Sequence, residues 1–213
     1  MAGLSLLLGG WVWFALPPPV SGADEVVLLH GLGRSASTMR ILEWRLRTAG
    51  FRVLNIDYDS LQEDFDEVVG KVARRVDELA SPVARRHYVG HSLGGLVARA
   101  VIDKRPPMYL GRVVMMGTPN DGSPVADMLR EKGLAWVLGR SGQQIGVALD
   151  LPPPDYEVGV LAGEEDPLVP PERTRLPGMT DFMLVPGGHV RMRYDATSAE
   201  QVIHFLRTGR FKR

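Results

Sequence analysis

Arg86-His87-Tyr88-Val89-Gly90-His91-Ser92-Leu93-Gly94-Gly95-Leu96-Val97-Ala98-Arg99 is the stretch from which the rest of the chain can be read. A short strand over His87–Gly90 runs straight towards Ser92, and a helix carrying Leu96, Val97, Ala100 and Val101 begins immediately after. Gly90 and Gly94 bracket the serine at G-x-S-x-G spacing. So sharp a strand-to-helix turn forces its central residue into strained backbone and lifts the hydroxyl above the sheet. A side chain two residues to either side would collide with the neighbouring elements, so both positions call for a residue without Cβ. The bland alternative is a tight turn around an idle serine. The placement between strand and helix weighs against it.

Working outward, Glu25-Val26-Val27-Leu28-Leu29-His30 is a continuous apolar run of strand length, suited to burial on both faces of a parallel sheet. It ends in His30-Gly31-Leu32-Gly33-Arg34. A helix is expected from about Ser37, with Met39, Leu42, Leu46 and Ala49 on one side and Gly50 closing it. Arg52–Asp57 reads as the second strand. A helix from about Gln62 to Leu79 buries Phe65, Val68, Val69, Val72, Val76 and Leu79, and its charges form a solvated face.

Beyond the serine the alternation continues. Strands are expected at Arg112–Met116, Glu157–Ala162 and Phe182–Val185. Thr197 and Glu200 have capping-box spacing for a closing helix, with Gly209 past its end. Six strands alternating with helices imply an α/β fold: a six-stranded, mainly parallel sheet with helices on both faces. Working groups in such sheets collect where strands end at the carboxyl edge.

Four strand ends therefore belong together: His30-Gly31-Leu32, Ser92, Asp166 and His189. A serine hydroxyl is a poor nucleophile until a base takes its proton, and histidine has the pKa for that task. The histidine needs an acceptor to hold one tautomer and stabilise the imidazolium. A carboxylate after one strand and a histidine after the next supply both, in the chain order Ser92, Asp166, His189. Asp166 has two rivals in Glu164 and Glu165, and a bland alternative as the first residue of an Asp-Pro turn. His189 has the bland alternative of a loop histidine held by backbone. Its rivals His87, His91 and His204 lie in the elbow strand, beside the serine, and in the closing helix, none of them on a loop that approaches Ser92.

On these residues the chain resembles an α/β-hydrolase of the lipase and esterase type, similar to small bacterial lipases with little or no lid. The resemblance runs from Glu25 to Phe211. It rests on His30-Gly31-Leu32-Gly33, Gly90-His91-Ser92-Leu93-Gly94, Gly117-Thr118-Pro119, and the loops Gly163…Asp166 and Gly188-His189. It implies a minimal α/β-hydrolase fold in which Arg52–Asp57 lies outside Glu25–His30. It also implies an oxyanion hole built from the backbone N–H groups of Leu32 and Leu93, which suits an intermediate that develops negative charge. His30, Gly31, His91, Thr118 and Trp136 are the candidate pocket residues. Two departures stand out: the two strands that usually precede the first are absent, and Arg191 and Arg193 put polar side chains near a rim that is often apolar in lipases.

The segment Asp121–Tyr156 is where substrate identity is expected to reside. It carries a short helix around Val125–Arg130 and the apolar cluster Leu134-Ala135-Trp136-Val137-Leu138, which either forms an acyl wall or flap or simply packs on the sheet.

The 213 residues suffice for one domain with a full core, here 24–213. Twenty-five basic residues balance twenty-five acidic ones, so no global field draws in nucleic acid or anionic membrane. There is no cysteine, which excludes disulfides and thiolate catalysis. Residues 1–23 carry no charged side chain. Their apolar run Leu4–Leu16, the break at Pro17-Pro18-Pro19 and the small residues Ser21-Gly22-Ala23 resemble a secretory signal cleaved before Asp24. An uncleaved membrane anchor is the rival, and would place the protein at a membrane rather than in the periplasm or medium. The function expected is hydrolysis of small-molecule or lipid acyl esters by a monomer that needs no metal or cofactor. A thioesterase or acyltransferase would use the same residues, and a non-catalytic binding member of the fold is the alternative from another class.

Overall fold

The computed structural model describes residues 16–18, 22–145 and 150–213. The charge-free segment 1–23 therefore lies, apart from residues 16–18, 22 and 23, outside the described residues. Six strands form one sheet: β1 (Glu25–Leu29), β2 (Arg52–Ile56), β3 (Arg86–His91), β4 (Leu110–Met116), β5 (Val158–Gly163) and β6 (Asp181–Val185), in the order β2-β1-β3-β4-β5-β6. Every neighbouring pair is parallel.

The unbroken apolar run of β1 is explained by burial on two sides. Val27 and Leu29 face helices α2 (Phe65–Leu79) and α3 (Leu93–Lys104), while Val26 and Leu28 face α1 (Arg40–Thr48) and the closing helix, and all four are fully buried. A 3-10 turn over Ala36–Met39 precedes α1, so the helix enters three residues later than its periodicity suggests. Helix α2 begins at Phe65 rather than near Gln62, because the Glu67 carboxylate accepts the Asp64 N–H at 2.8 Å and sets the first turn there. Further helices among the described residues are α4 (Pro124–Glu131), α5 (Gly139–Gln143) and α6 (Ala196–Thr208).

The start of α6 corrects the expected capping box. Asp195, not Thr197, is the cap: its carboxylate accepts the Ser198 N–H at 3.1 Å. Glu200 instead meets Lys212 at 2.6 Å. Gly209 ends the helix at φ 79°, as its sequence position suggests.

Strand β3 slips register against β4 between Arg86 and Tyr88. The buried His87 ring occupies this slip, with Nδ1 accepting the Arg112 N–H at 2.8 Å. His87 is thereby tied to the start of β4, away from the carboxyl edge where Ser92 sits.

Candidate active site

The elbow forms because β3 hands over to α3 within one residue. The Ser92 N–H donates to the Met116 carbonyl at 2.8 Å, as a strand residue would, and its carbonyl accepts from Gly95 N–H at 3.0 Å, as a helix start would. Ser92 consequently sits at φ 55°, ψ −126°, and is the one non-glycine residue with positive φ among the described residues. A Cβ on Gly90 would strike the backbone of Gly94 and Gly95, and one on Gly94 would strike the carbonyls of Leu29 and His30 at the end of β1. Gly95 is needed too, for a Cβ there would overlap the Thr118 side chain. Nothing in the sequence singles out that third glycine.

Asp166 and His189 meet on the same edge. Asp166 is 4% exposed, and its two oxygens have separate duties. Oδ1 accepts the N–H groups of Leu168 and Val169, both at 2.9 Å, and so builds the Asp-Pro turn; Oδ2 lies 2.7 Å from His189 Nδ1. The turn role and the histidine-pairing role thus coexist in one side chain. A carboxylate can only accept, so the shared proton sits on Nδ1 and leaves Nε2 as the acceptor. Glu164 and Glu165 are exposed, and it is Asp166, not either of them, that pairs with His189. Gly117 passes close beneath the pair. At φ 57°, a Cβ on it would lie 3.2 Å from His189 Nδ1 and 2.6 Å from Met192 Cε, so the position excludes a side chain on both counts.

His91 supports the histidine loop from behind. Its Nε2–H donates to the His189 carbonyl at 2.8 Å, and the two rings are 4.7 Å apart. Its Nδ1 is enclosed without a partner among the described residues. Burial, and then the neighbouring charge of His189, pushes the His91 pKa well below its ordinary 6.5. At pH values between the folded and unfolded pKa only the unfolded chain binds the proton. Stability is therefore kept above pH 6.5 and declines as pH falls from 6.5 towards the folded value. His91→Gln, which keeps an amide donor for the His189 carbonyl, is expected to flatten that decline by up to about 1.4 kcal/mol per pH unit. Urea unfolding at stepped pH from 7 to 5 measures it. An unchanged slope would mean that His91 protonates readily in the folded state.

Ser92 and His189 open onto one cavity of about 190 Å³. Gly31, Leu32, His91 and Leu93, all singled out in the sequence, line it. Its far wall is apolar, from Val125, Ala126, Leu138, Ile145, Leu168 and Val169, and Arg34 and Arg193 border it. Two more open clefts of about 360 and 380 Å³ lie elsewhere, and neither contains Ser92 or a histidine.

Three expected pocket residues do not line this cavity. His30 is fully buried and clamps the ends of β1 and β2: it stacks on Tyr58 at 3.9 Å, Nδ1 meets the Gly31 carbonyl at 2.9 Å, and the Tyr58 hydroxyl donates to the His30 carbonyl. Thr118 is fully buried against Gly95, beneath the start of α3. Trp136 is 71% exposed, so it neither packs on the sheet nor walls the site; Leu138, 8% exposed at the end of the same 3-10 turn, takes the wall position. Leu138 belongs to the apolar cluster offered as an acyl wall, whereas Ile145, Leu168 and Val169 were not foreseen there. Only Leu168-Val169, directly after the Asp-Pro step, carried a positional signal.

Comparison with known proteins agrees with this fold. The model of the alpha/beta hydrolase family matches residues 26–204. A 2-hydroxy-6-oxononadienedioate/2-hydroxy-6-oxononatrienedioate hydrolase of Pseudomonas sp is 30% identical over 130 residues, covering 56% of this chain and 45% of that protein, so the chain spans about half the length of this curated relative. Among solved structures, lipase BlEst2 of Bacillus licheniformis superposes with a TM-score of 0.72 at 17% identity over 92% of this chain and 95% of the lipase. The RedJ thioesterase of the prodiginine pathway in Streptomyces coelicolor gives 0.64 at 19% identity, over 92% and 93%. At these identities the two structures speak for the fold.

Proposed function

The chain belongs to the alpha/beta hydrolase family, and on that premise we propose that it is a serine hydrolase that cleaves carboxylic esters through an acyl-enzyme on Ser92. The observation that carries the proposal is that the strained Ser92 and the Asp166-paired His189 open onto the same cavity. His189 Nε2 takes the Ser92 proton as Oγ attacks the ester carbonyl. Asp166 Oδ2 holds the imidazolium that forms, without itself taking the proton. The carbonyl oxygen gains charge and is met by the N–H groups of Leu32 and Leu93; the latter is the first residue of α3, whose N–H has no use inside the helix. His189 then gives its proton to the departing alcohol, activates a water against the acyl-enzyme, and the acid leaves.

The cavity size adds a constraint. At about 190 Å³ it is smaller than the roughly 300–1,000 Å³ typical of sites for drug-sized ligands, so a short acyl group suits it better than a long chain. Fluorophosphonate labelling of the folded protein is the test. A single adduct at Ser92 is expected, and prior heat denaturation should abolish it. Folded protein that gives no adduct at Ser92 would turn the assignment towards a binding protein built on the same fold.

A further inference from the structure

The Ser92 cavity carries a charge that nothing among the described residues neutralises. Arg193 ends the 3-10 turn that follows His189. Its neighbour Arg191 faces water and reaches Asp195 at 3.4 Å, but Arg193 turns inward, is 8% exposed and lines the cavity. Its Nε makes one long hydrogen bond, 3.4 Å, to the Val190 carbonyl of its own turn. Nη1 is enclosed and has no acceptor among the described residues. No carboxylate within ion-pair distance of this guanidinium is found among them either, whereas Arg47, Arg52, Arg112 and Arg140 are each paired with one. Arg34, two residues past Leu32, borders the same cavity; it is exposed and likewise unpaired among the described residues. The two cations act on each other: burial first, and then the charge of Arg34, lower the Arg193 pKa.

A guanidinium withdrawn from water without a counter-ion destabilises the protein that holds it. The group that would relieve this must arrive from solvent, carry negative charge and fit beside Ser92. The flat fork of a guanidinium matches two carboxylate oxygens. Among the described residues the remaining wall is mostly apolar, and its Ser123 hydroxyl already donates to the Leu168 carbonyl, so it offers few of the further donors that a phosphate dianion requires. We infer that the cavity takes a small ester that also bears a carboxylate, which Arg193 holds while Arg34 attracts it at the entrance. This rests on the esterase reading above and goes further by naming the charge of the substrate.

The test compares two esters of nearly one shape, ethyl hydrogen succinate and ethyl 4-methylpentanoate, in which an isopropyl group replaces the carboxylate. Acid release by the full chain is followed at pH 7.5. The succinate ester is expected to have a kcat/KM at least about tenfold higher, as suits a charge-assisted hydrogen bond. Arg193→Gln should lower the ratio of the two kcat/KM values by about ten- to a hundredfold, chiefly through KM on the anionic ester. Arg193→Lys should recover part of it, since it restores the charge without the fork. Arg191→Gln should leave the ratio alone. The melting temperature of Arg193→Gln is expected to match or exceed that of the parent, because an unpaired buried charge has gone.

A parent enzyme that prefers the neutral ester overturns the inference. So does an Arg193→Gln variant that loses both esters in equal proportion, or that melts earlier, since Arg193 would then be structural. Stronger inhibition by methyl phosphate than by propionate would assign the site to phosphate and overturn the carboxylate. Fluorophosphonate labelling separates the two levels. Labelling at Ser92 without charge preference sinks only this inference, and absence of labelling sinks the esterase reading and this inference together.

Discussion

Replacing Ser92 with alanine is expected to lower ester turnover by on the order of 10⁶-fold while the protein stays folded. The proposed nucleophile leaves, but the Asp166–His189 pair and the two proposed backbone donors remain. The residue of activity should therefore still exceed the uncatalysed reaction by roughly 10³–10⁴. Stability follows a separate argument. Alanine keeps a Cβ at φ 55°, ψ −126°, so it keeps the backbone strain of the elbow, and its melting temperature should stay close to that of the parent. Glycine at the same position releases about 1–3 kcal/mol of strain against roughly 0.5–1 kcal/mol for its greater freedom when unfolded. Ser92→Gly should accordingly melt a few degrees above Ser92→Ala, at about 2–4 °C per kcal/mol for a chain of this size. Turnover on a soluble ester and thermal unfolding of both variants measure these effects. Retention of even about a tenth of parent turnover by Ser92→Ala, against the expected loss, would place the nucleophile elsewhere.

Much of this architecture was legible in the sequence, for a physical reason. The middle of a strand buried on both faces, such as Val26-Val27-Leu28-Leu29, favours an unbroken apolar run, and the glycines at 90 and 94 sit where any Cβ meets backbone. Those constraints are local, so they leave a mark in one chain without any alignment. Chain order along the sheet then brings Asp166 and His189 to one edge, since both follow neighbouring parallel strands, β5 and β6.

Other features depend on partners distant in sequence and left no comparable mark. Asp195 and Thr197 are both plausible caps by type; only the turn over Arg191–Arg193, which delivers Asp195 in an extended conformation, selects the first. His30 follows a strand at the working edge as a pocket residue would, but its ring is claimed by Tyr58, 28 residues away. In the short 3-10 turn over Ala135–Leu138, apolar residues occur together and periodicity cannot say which faces in; the bulkier Trp136 is left outside. Arg193 was visible as a departure from an apolar rim. Its inward turn, against the outward one of Arg191, depends on the cavity that the remainder of the chain encloses.

Asp166→Asn is expected to cost about 10⁴ in turnover near neutral pH, and the turn that Asp166 itself builds dictates why. The N–H groups of Leu168 and Val169 both point at Oδ1. An asparagine that keeps the turn must present its carbonyl oxygen to those two donors. Its NH₂ then takes the place of Oδ2, 2.7 Å from His189 Nδ1. An amide nitrogen donates, so Nδ1 has to accept and the ring proton moves to Nε2. Nε2 then already carries a proton and is unable to take that of Ser92. The opposite orientation of the amide would rescue the tautomer but set an NH₂ against two backbone N–H groups in a nearly fully buried site, which disfavours it strongly. The variant should therefore fold normally, label slowly with fluorophosphonate and turn over slowly. The Nε2-protonated tautomer should be visible in the nitrogen shifts of ¹⁵N-labelled His189. Glu165→Gln, at an exposed position beside it, should leave turnover and tautomer unchanged. The reverse ranking of these two variants would transfer the acid role to Glu165. An Asp166→Asn enzyme that kept the Nδ1–H tautomer yet lost activity would show that the carboxylate acts through its charge on the imidazolium rather than by fixing the ring proton.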